Sequence, residues 1–380
     1  MIKKKSFYCC AFLLLSQVIL TAKIQLQITI DDPGSAHATY YEPIRSNLQA
    51  AADQWGQYLA GDAVFEITVK LLVGQSTDRA NGGSTTNYPL GKDGAITVYQ
   101  DSVPYELSTG FDLNGAGADA TISIYENYLM NELWFDPSPS DRSTPKPDNR
   151  TDAVSVLMHE FGHCLGWNGW RVPNPVLPDN YESTFDSFLF FDGQNFNFTG
   201  YEASMIYKGP APINRQYAHL GDNPPNPGSE FKTSIMFGGY SLRERRYITA
   251  MDLAVLNDTG LKLTPAGKSL LVSAGGTEMS PWEAQGLSYN WLGYFNTAQW
   301  PWIHHELLDW AWVSNSPVNG GNWLWLYNSK VGWLWVAKGY YPWCWAISNN
   351  QDLNGWLWVA NDNSQRWFWS YTSRKWIADF

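Results

Sequence analysis

The residues able to do chemistry gather in one stretch, TDAVSVLMHEFGHCLGWNGW, residues 151 to 170. On a helix, His159 and His163 stand one turn plus a little apart, so both imidazoles project from one face and can hold the same ion. Glu160 points aside, placed to take a proton from an activated water rather than to bind metal. Zinc with three protein ligands keeps an open position and brings the pKa of its water down toward ~7. The competing reading is a chance HExxH on a core helix, both histidines satisfied by other groups. The surrounding residues suit a buried helix: Asp152 stands near its start, Val154, Val156, Leu157 and Met158 are apolar, and Gly162 and Gly166 admit other backbone closely.

Extended to HEFGHCLG, the motif resembles the active-site helix of metzincin zinc proteases, in which a glycine, here Gly166, ends the helix and turns the chain toward a third ligand. Two further segments carry the resemblance. TSIMFGG places Met236 where a metzincin has its Met-turn, and ITAMDLAVLNDTGL resembles the closing helix of the same catalytic domain. Together they cover roughly residues 25 to 262. The compact motif needs a ligand at position 169, which is glycine. The leishmanolysin-like branch inserts a long segment there and supplies its third histidine shortly before the Met-turn. His219, in QYAHLGD, matches that arrangement, 56 residues after His163 and 17 before Met236. The rival is Glu182 in NYESTFD, 19 residues after His163, near the spacing of thermolysin-like enzymes. Those enzymes carry the glutamate on a helix and lack the Gly-and-Met pattern. Asp186 reads as a structural hydrogen-bonding acid.

The resemblance implies one catalytic Zn2+ held by His159, His163 and His219, a protein or peptide substrate, and Glu160 as general base in peptide hydrolysis. Some metzincins stabilise the oxyanion with a tyrosine two residues after the methionine; Gly238 stands there, and Tyr240 is a weak substitute. No cysteine precedes the catalytic helix in the expected mature chain, so a cysteine switch has no residue to use. No clear motif indicates a structural Ca2+.

The elements that must position these residues follow from periodicity. IQLQITI (24 to 30) alternates as a strand, YEPIRSNLQAAADQWGQYLA (41 to 60) has helical spacing, and AVFEITVKLLV (63 to 73) alternates again. A Gly/Ser/Asn-rich loop comes next, then strands in AITVY (95 to 99) and ATISIY (120 to 124), then the histidine helix. The order predicts an α+β or α/β first half. Residues 171 to 233 read as long and mostly irregular, a kind of segment that tends to be functional. In the helix of 248 to 261, Thr249 is the N-cap, Asp252 the capping-box acid and Gly260 the stop.

Residues 1 to 22 read as an export signal: Lys3, Lys4 and Lys5, then FYCCAFLLLSQVIL, with a cut near Ala22. The apolar run is too short to span a membrane, and no later run replaces it. The expectation is a secreted, periplasmic or cell-surface protein. Removing the segment takes the net charge from −11 to −14, which argues against nucleic acid as a partner. The mature chain keeps Cys164 and Cys344, read as buried single residues rather than a disulfide.

Past residue 262 the composition changes. Residues 263 to 283 read as a linker, and 284 to 380 as an all-β tryptophan-rich repeat. Of 21 tryptophans, 17 lie between Trp282 and Trp376, recurring as WPW, WAW, WLW, WLW, WCW, WLW and WFW with starts 10 to 13 residues apart. On a strand each WxW sets two indoles on one face. They either fill the core of a small β domain or form an outer platform for sugar rings or a cell envelope. His304 and His305, being adjacent on a strand, face opposite sides and do not share a metal.

The leading expectation is therefore a secreted zinc endopeptidase with an attachment module for a polysaccharide or envelope. The alternatives are a surface-binding protein with a decayed protease domain, and a zinc hydrolase of another chemistry.

Overall fold

The computed structural model describes residues 23–379 apart from 75–78, 94, 172–175, 192–193, 223–225, 239–243, 277–286, 291, 300, 306, 315–320, 338–339 and 362–365. The expected export signal and Tyr240 lie outside the described residues. It is an α+β region followed by an antiparallel sheet rich in tryptophan.

The chain opens with β1 (Ile24–Asp31), α1 (Tyr41–Gly56) and β2 (Ala63–Leu72), close to the bounds that periodicity predicts. On β2 alternate residues Ala63, Phe65, Ile67, Val69 and Leu71 are buried, the period-two pattern of a half-covered sheet. The Gly/Ser/Asn-rich stretch, expected as a loop, contains two strands, β3 (Ala80–Ser84) and β4 (Asn87–Asp93). Then follow β5 (Ile96–Asp101), α2 (Ser102–Thr109), β6 (Ala120–Tyr125), α3 (Glu126–Asn131), the short β7 (Leu133–Trp134) and β8 (Thr151–Asp152), and α4 (Ala153–Cys164).

The main sheet has the order β1-β2-β6-β3, parallel except for β3, which runs antiparallel along β6 and forms the edge. Helices α1 and α4 pack on each other and on this sheet. Trp55 of α1, fully buried, donates from Nε1 to the Met158 carbonyl of α4 at 2.9 Å.

Between α4 and the closing helix the chain forms β9 (Tyr181–Ser183), β10 (Leu189–Phe191), β11 (Phe196–Phe198), α5 (Tyr201–Tyr207) and β12 (Ala211–Ile213). These make two small sheets, β4-β5-β9 and β10-β11-β12. Helix α6 (Ala250–Asp258) has the capping box expected of Thr249 and Asp252. Helix α7 (Pro265–Ser273) lies in the stretch expected as a linker, and its Leu271 is buried in the same core as Leu263 and Trp55. No helix among the described residues is long and apolar enough to cross a membrane.

The second region is a meander of ten strands, each antiparallel to the next. They are β13 (Leu287–Asn290), β14 (Gly293–Gln299), β15 (Trp302–His305), β16 (Asp309–Val313), β17 (Gly321–Leu326), β18 (Trp333–Ala337), β19 (Trp343–Ile347), β20 (Gly355–Asn361), β21 (Arg366–Ser370) and β22 (Lys375–Asp379). Its core is made of Leu, Val, Ile, Ala, Phe and Cys344, with no tryptophan among the described members. In six of the seven WxW units the middle residue faces inward: Ala311, Leu324, Leu334, Cys344, Leu357 and Phe368 are buried. The indoles stand on the other face and pair across strands, Trp302 with Trp312, Trp312 with Trp325, Trp325 with Trp333, and Trp335 with both Trp323 and Trp345. Asp379 on β22 accepts from Lys330 N at 2.7 Å and Ser329 Oγ at 2.6 Å in the β17–β18 turn, so the meander curls around its aliphatic face.

Candidate metal centre

Helix α4 starts at Asp152, whose side chain accepts from Ser155 N at 3.0 Å, and it ends in a glycine motif. Gly166 has φ +96°, a conformation natural to glycine; its N–H reaches the His163 carbonyl, and Trp167 N–H reaches the Gly162 carbonyl. The turn brings the Trp167 carbonyl to 2.7 Å from His163 Nδ1. A carbonyl only accepts, so Nδ1 carries the proton and Nε2 presents its lone pair. His159 is set the same way, its Nδ1 donating to the Ile235 carbonyl at 2.7 Å.

The third histidine arrives from far along the chain. His219 Nε2 lies 3.0 Å from His159 Nε2 and 3.1 Å from His163 Nε2, and those two are 3.2 Å apart. The His159 and His219 rings stack at 12°, and His163 meets both edge-on. Three nitrogens that share one zinc at ~2.05 Å in tetrahedral order stand ~3.3 Å apart. The triangle is only slightly tighter than that. Burial, first of all, lowers the pKa of all three imidazoles: His159 is pushed down to about 3, with His163 adding to the effect, and His219 falls well below its usual value. Neutral imidazoles with converging lone pairs fit a transition-metal cation such as Zn2+. His219 Nδ1 lies 3.2 Å from Asn214 Nδ2, an amide that is also bonded to Gln216 through both its nitrogen and its oxygen.

Several backbone contacts hold His219 in place. Asn214 N–H donates to the His219 carbonyl at 2.9 Å, and Leu220 N–H to the Met236 carbonyl at 2.9 Å. Met236 is fully buried beneath α4, its side chain against Gly162, where a Cβ would lie 3.2 Å from Met236 Cε and closer still to the sulfur. The Met236 turn is tied by Asp252, a buried carboxylate that accepts from Met236 N at 3.1 Å and Ile235 N at 3.2 Å, as well as from Thr249. The sequence shows Asp252 only as a cap; its second task needs a loop 16 residues upstream, which no local pattern reveals.

Glu160 is 6 % exposed and lies outside the group of converging ligand atoms. Burial pushes its carboxyl up to about 8, while the Gly82 N–H acts in the opposite direction. Gly82, on the edge strand β3, lies so close to α4 that a Cβ there would stand 2.9 Å from the Glu160 carbonyl carbon. Glu182, the rival ligand, is buried on β9 with Ser187 Oγ at 3.0 Å and Arg171 at 3.7 Å, and is not among the converging groups. Asp186 accepts from Trp170 N and from Ser183 N and Oγ, the structural part expected of it. His37 is bonded to Asp32 and Glu126, and Cys164 and Cys344 are buried free thiols. Comparison of the chain with protein-family models, with curated proteins and with solved structures gives no match.

Proposed function

We propose that the protein is an exported zinc-dependent endopeptidase of metzincin type, leishmanolysin-like in the spacing of its ligands, with a C-terminal aromatic face that attaches it to a polysaccharide or cell envelope. The observation that carries the first part is the convergence of three Nε2 atoms within 3.2 Å, two of them on the helix that carries Glu160. When bound there, Zn2+ supplies Lewis acidity that activates a water and polarises a carbonyl. His159, His163 and His219 would hold it, the tautomers of the first two set by the Ile235 and Trp167 carbonyls. Glu160 accepts a proton from the attacking water at its carboxylate and passes it to the leaving amine. Edge strand β3 runs beside α4 with no second strand partner among the described residues, so an extended peptide can add to it through backbone hydrogen bonds and cross the site.

The attachment reading is supported by where the indoles stand. None of the described tryptophans of this region is buried, and Trp325, Trp345 and Trp376 are 42 %, 42 % and 49 % exposed. A paved, weakly charged aromatic face suits the apolar faces of sugar rings.

The deciding experiment is Glu160→Gln in the purified protein, with zinc content and peptide hydrolysis measured together. The expected outcome is one zinc per chain and a turnover reduced by ~10²-fold or more. Near-normal hydrolysis by the variant would refute the general-base assignment. A wild-type chain that holds zinc and cleaves no peptide in a broad library would favour a surface-binding protein.

A further inference from the structure

A second group of potential ligands lies away from the histidines, where α2 gives way to the loop FDLNGAGADA. Glu106, Asp112 and Asp119 bring carboxylate oxygens within 4.8 Å of one another. Glu106 is 6 % exposed and Asp119 fully buried, yet Glu106 Oε2 and Asp119 Oδ1 have no hydrogen-bond donor; Asn114 Oδ1, in the same loop, is also buried and without one. Buried oxygens left this way cost free energy unless something positive meets them.

We infer that Glu106, Asp112 and Asp119 form a second metal site, for the hard divalent cation Ca2+, with Asn114 Oδ1 in the same loop as a neutral donor. Donor type and number support the assignment. Ca2+ takes carboxylate and amide oxygens in flexible geometry, and Glu106 and Asp119 of this set are buried. Mg2+ keeps several waters and is usually held by one or two carboxylates, which suits this group of three less well. Zinc favours nitrogen and sulfur, and this group offers neither.

The loop is shaped around these oxygens. Asp112 Oδ1 accepts from Asn114 N at 2.9 Å and Gly115 N at 2.8 Å, and Asn114 Nδ2 donates to the Gly117 and Ala118 carbonyls. Gly115, at φ +60°, makes the turn. Burial, and then Asp119, Asp112 and Glu66, push Glu106 up to about 7, as expected of acids gathered without a counter-charge. Asp119 also joins the neighbouring elements: its N–H and Oδ2 bond Glu66 on β2, and its carbonyl accepts from Thr85 N, just after β3, and from Ser102 Oγ. The ion therefore fastens β2, α2 and β6 to the end of the strand that lies along Glu160.

The test is Ca2+ binding by calorimetry on the full-length protein after treatment with a Ca2+-selective chelator, with melting temperature and zinc content followed in parallel. One Ca2+ per chain is expected, with a rise of several degrees in the melting midpoint. Glu106→Gln and Asp112→Asn should each weaken Ca2+ ~10-fold or more while leaving zinc content unchanged. Asp112 is at the surface and asparagine preserves its turn, so that variant decides even where Glu106→Gln fails to fold. No saturable binding at millimolar Ca2+, unchanged affinity in Asp112→Asn, or Mg2+ binding as tightly as Ca2+ would each overturn the site.

Discussion

Gly169 donates its N–H to the Tyr217 carbonyl at 3.0 Å, and a Cβ on Gly169 would stand 3.0 Å from Tyr217 Cβ and inside contact distance of that carbonyl. The position that carries a ligand in the compact motif thus serves here as the seat of the loop that delivers His219. Gly169→Ala should cost about 1–3 kcal/mol through overpacking and weaken zinc retention by displacing His219. Gly169→His should lose metal rather than gain a ligand. Competition with a chromophoric chelator measures both, and unchanged zinc affinity in Gly169→Ala would detach Gly169 from the site.

His219→Ala should release zinc on dialysis against a mild chelator, because two imidazoles remain where three converge. Glu182→Gln should keep the metal, since that carboxylate is engaged with Ser187 and Arg171. Metal analysis of the two dialysed variants decides, and the reverse result would move the chain to the thermolysin-like arrangement.

The C-terminal sheet should lose stability in mild acid through His305. This residue is fully buried, donates from Nε2 to the Leu292 carbonyl at 2.6 Å, and accepts at Nδ1 from Leu307 and Leu308 N–H at 3.0 Å each. Protonation would set an N–H against two donors. Burial chiefly holds its pKa down at about 4 in the folded state, against ~6.5 unfolded. The unfolded chain therefore takes the proton first: the stabilisation is complete above pH ~6.5, drains as pH falls toward 4 and is flat below, about 3 kcal/mol in all. Urea melts followed by tryptophan fluorescence at pH 7 and 4.5 should show this slope, and His305→Gln should abolish its share.

The two faces of the WxW strands should respond oppositely to truncation. Leu334→Ala removes a fully buried side chain and should cost about 2–5 kcal/mol. Replacing Trp325, Trp345 and Trp376 together by Ala should cost little more than the cross-strand ring contacts, about 0.5–1.5 kcal/mol each, while abolishing retention on insoluble polysaccharide or envelopes. Full retention by that triple variant would move the attachment surface elsewhere.

The strands and helices that periodicity predicts at 24 to 30, 41 to 60, 63 to 73 and 248 to 261 are present within a few residues of those bounds, because alternation and helical spacing record which face of each element meets the core. His159, Glu160 and His163 were legible for a related reason, since an i, i+4 pair on a helix fixes its own geometry. Tertiary structure decided the rest. Strand β3 hides in a glycine-rich stretch because Gly82 answers to the backbone of α4 rather than to strand propensity. His219 and Glu182 were separable in sequence only by resemblance; they are separated in space by the Leu220–Met236 backbone bond, which turns one toward the histidines, and by Arg171 and Ser187, which hold the other. The WxW spacing placed two indoles on one face of each strand, but which face became the core depended on the curl of the whole sheet. It curled around the smaller middle residues, which fill a tight interior at close packing, and left the larger indoles outside.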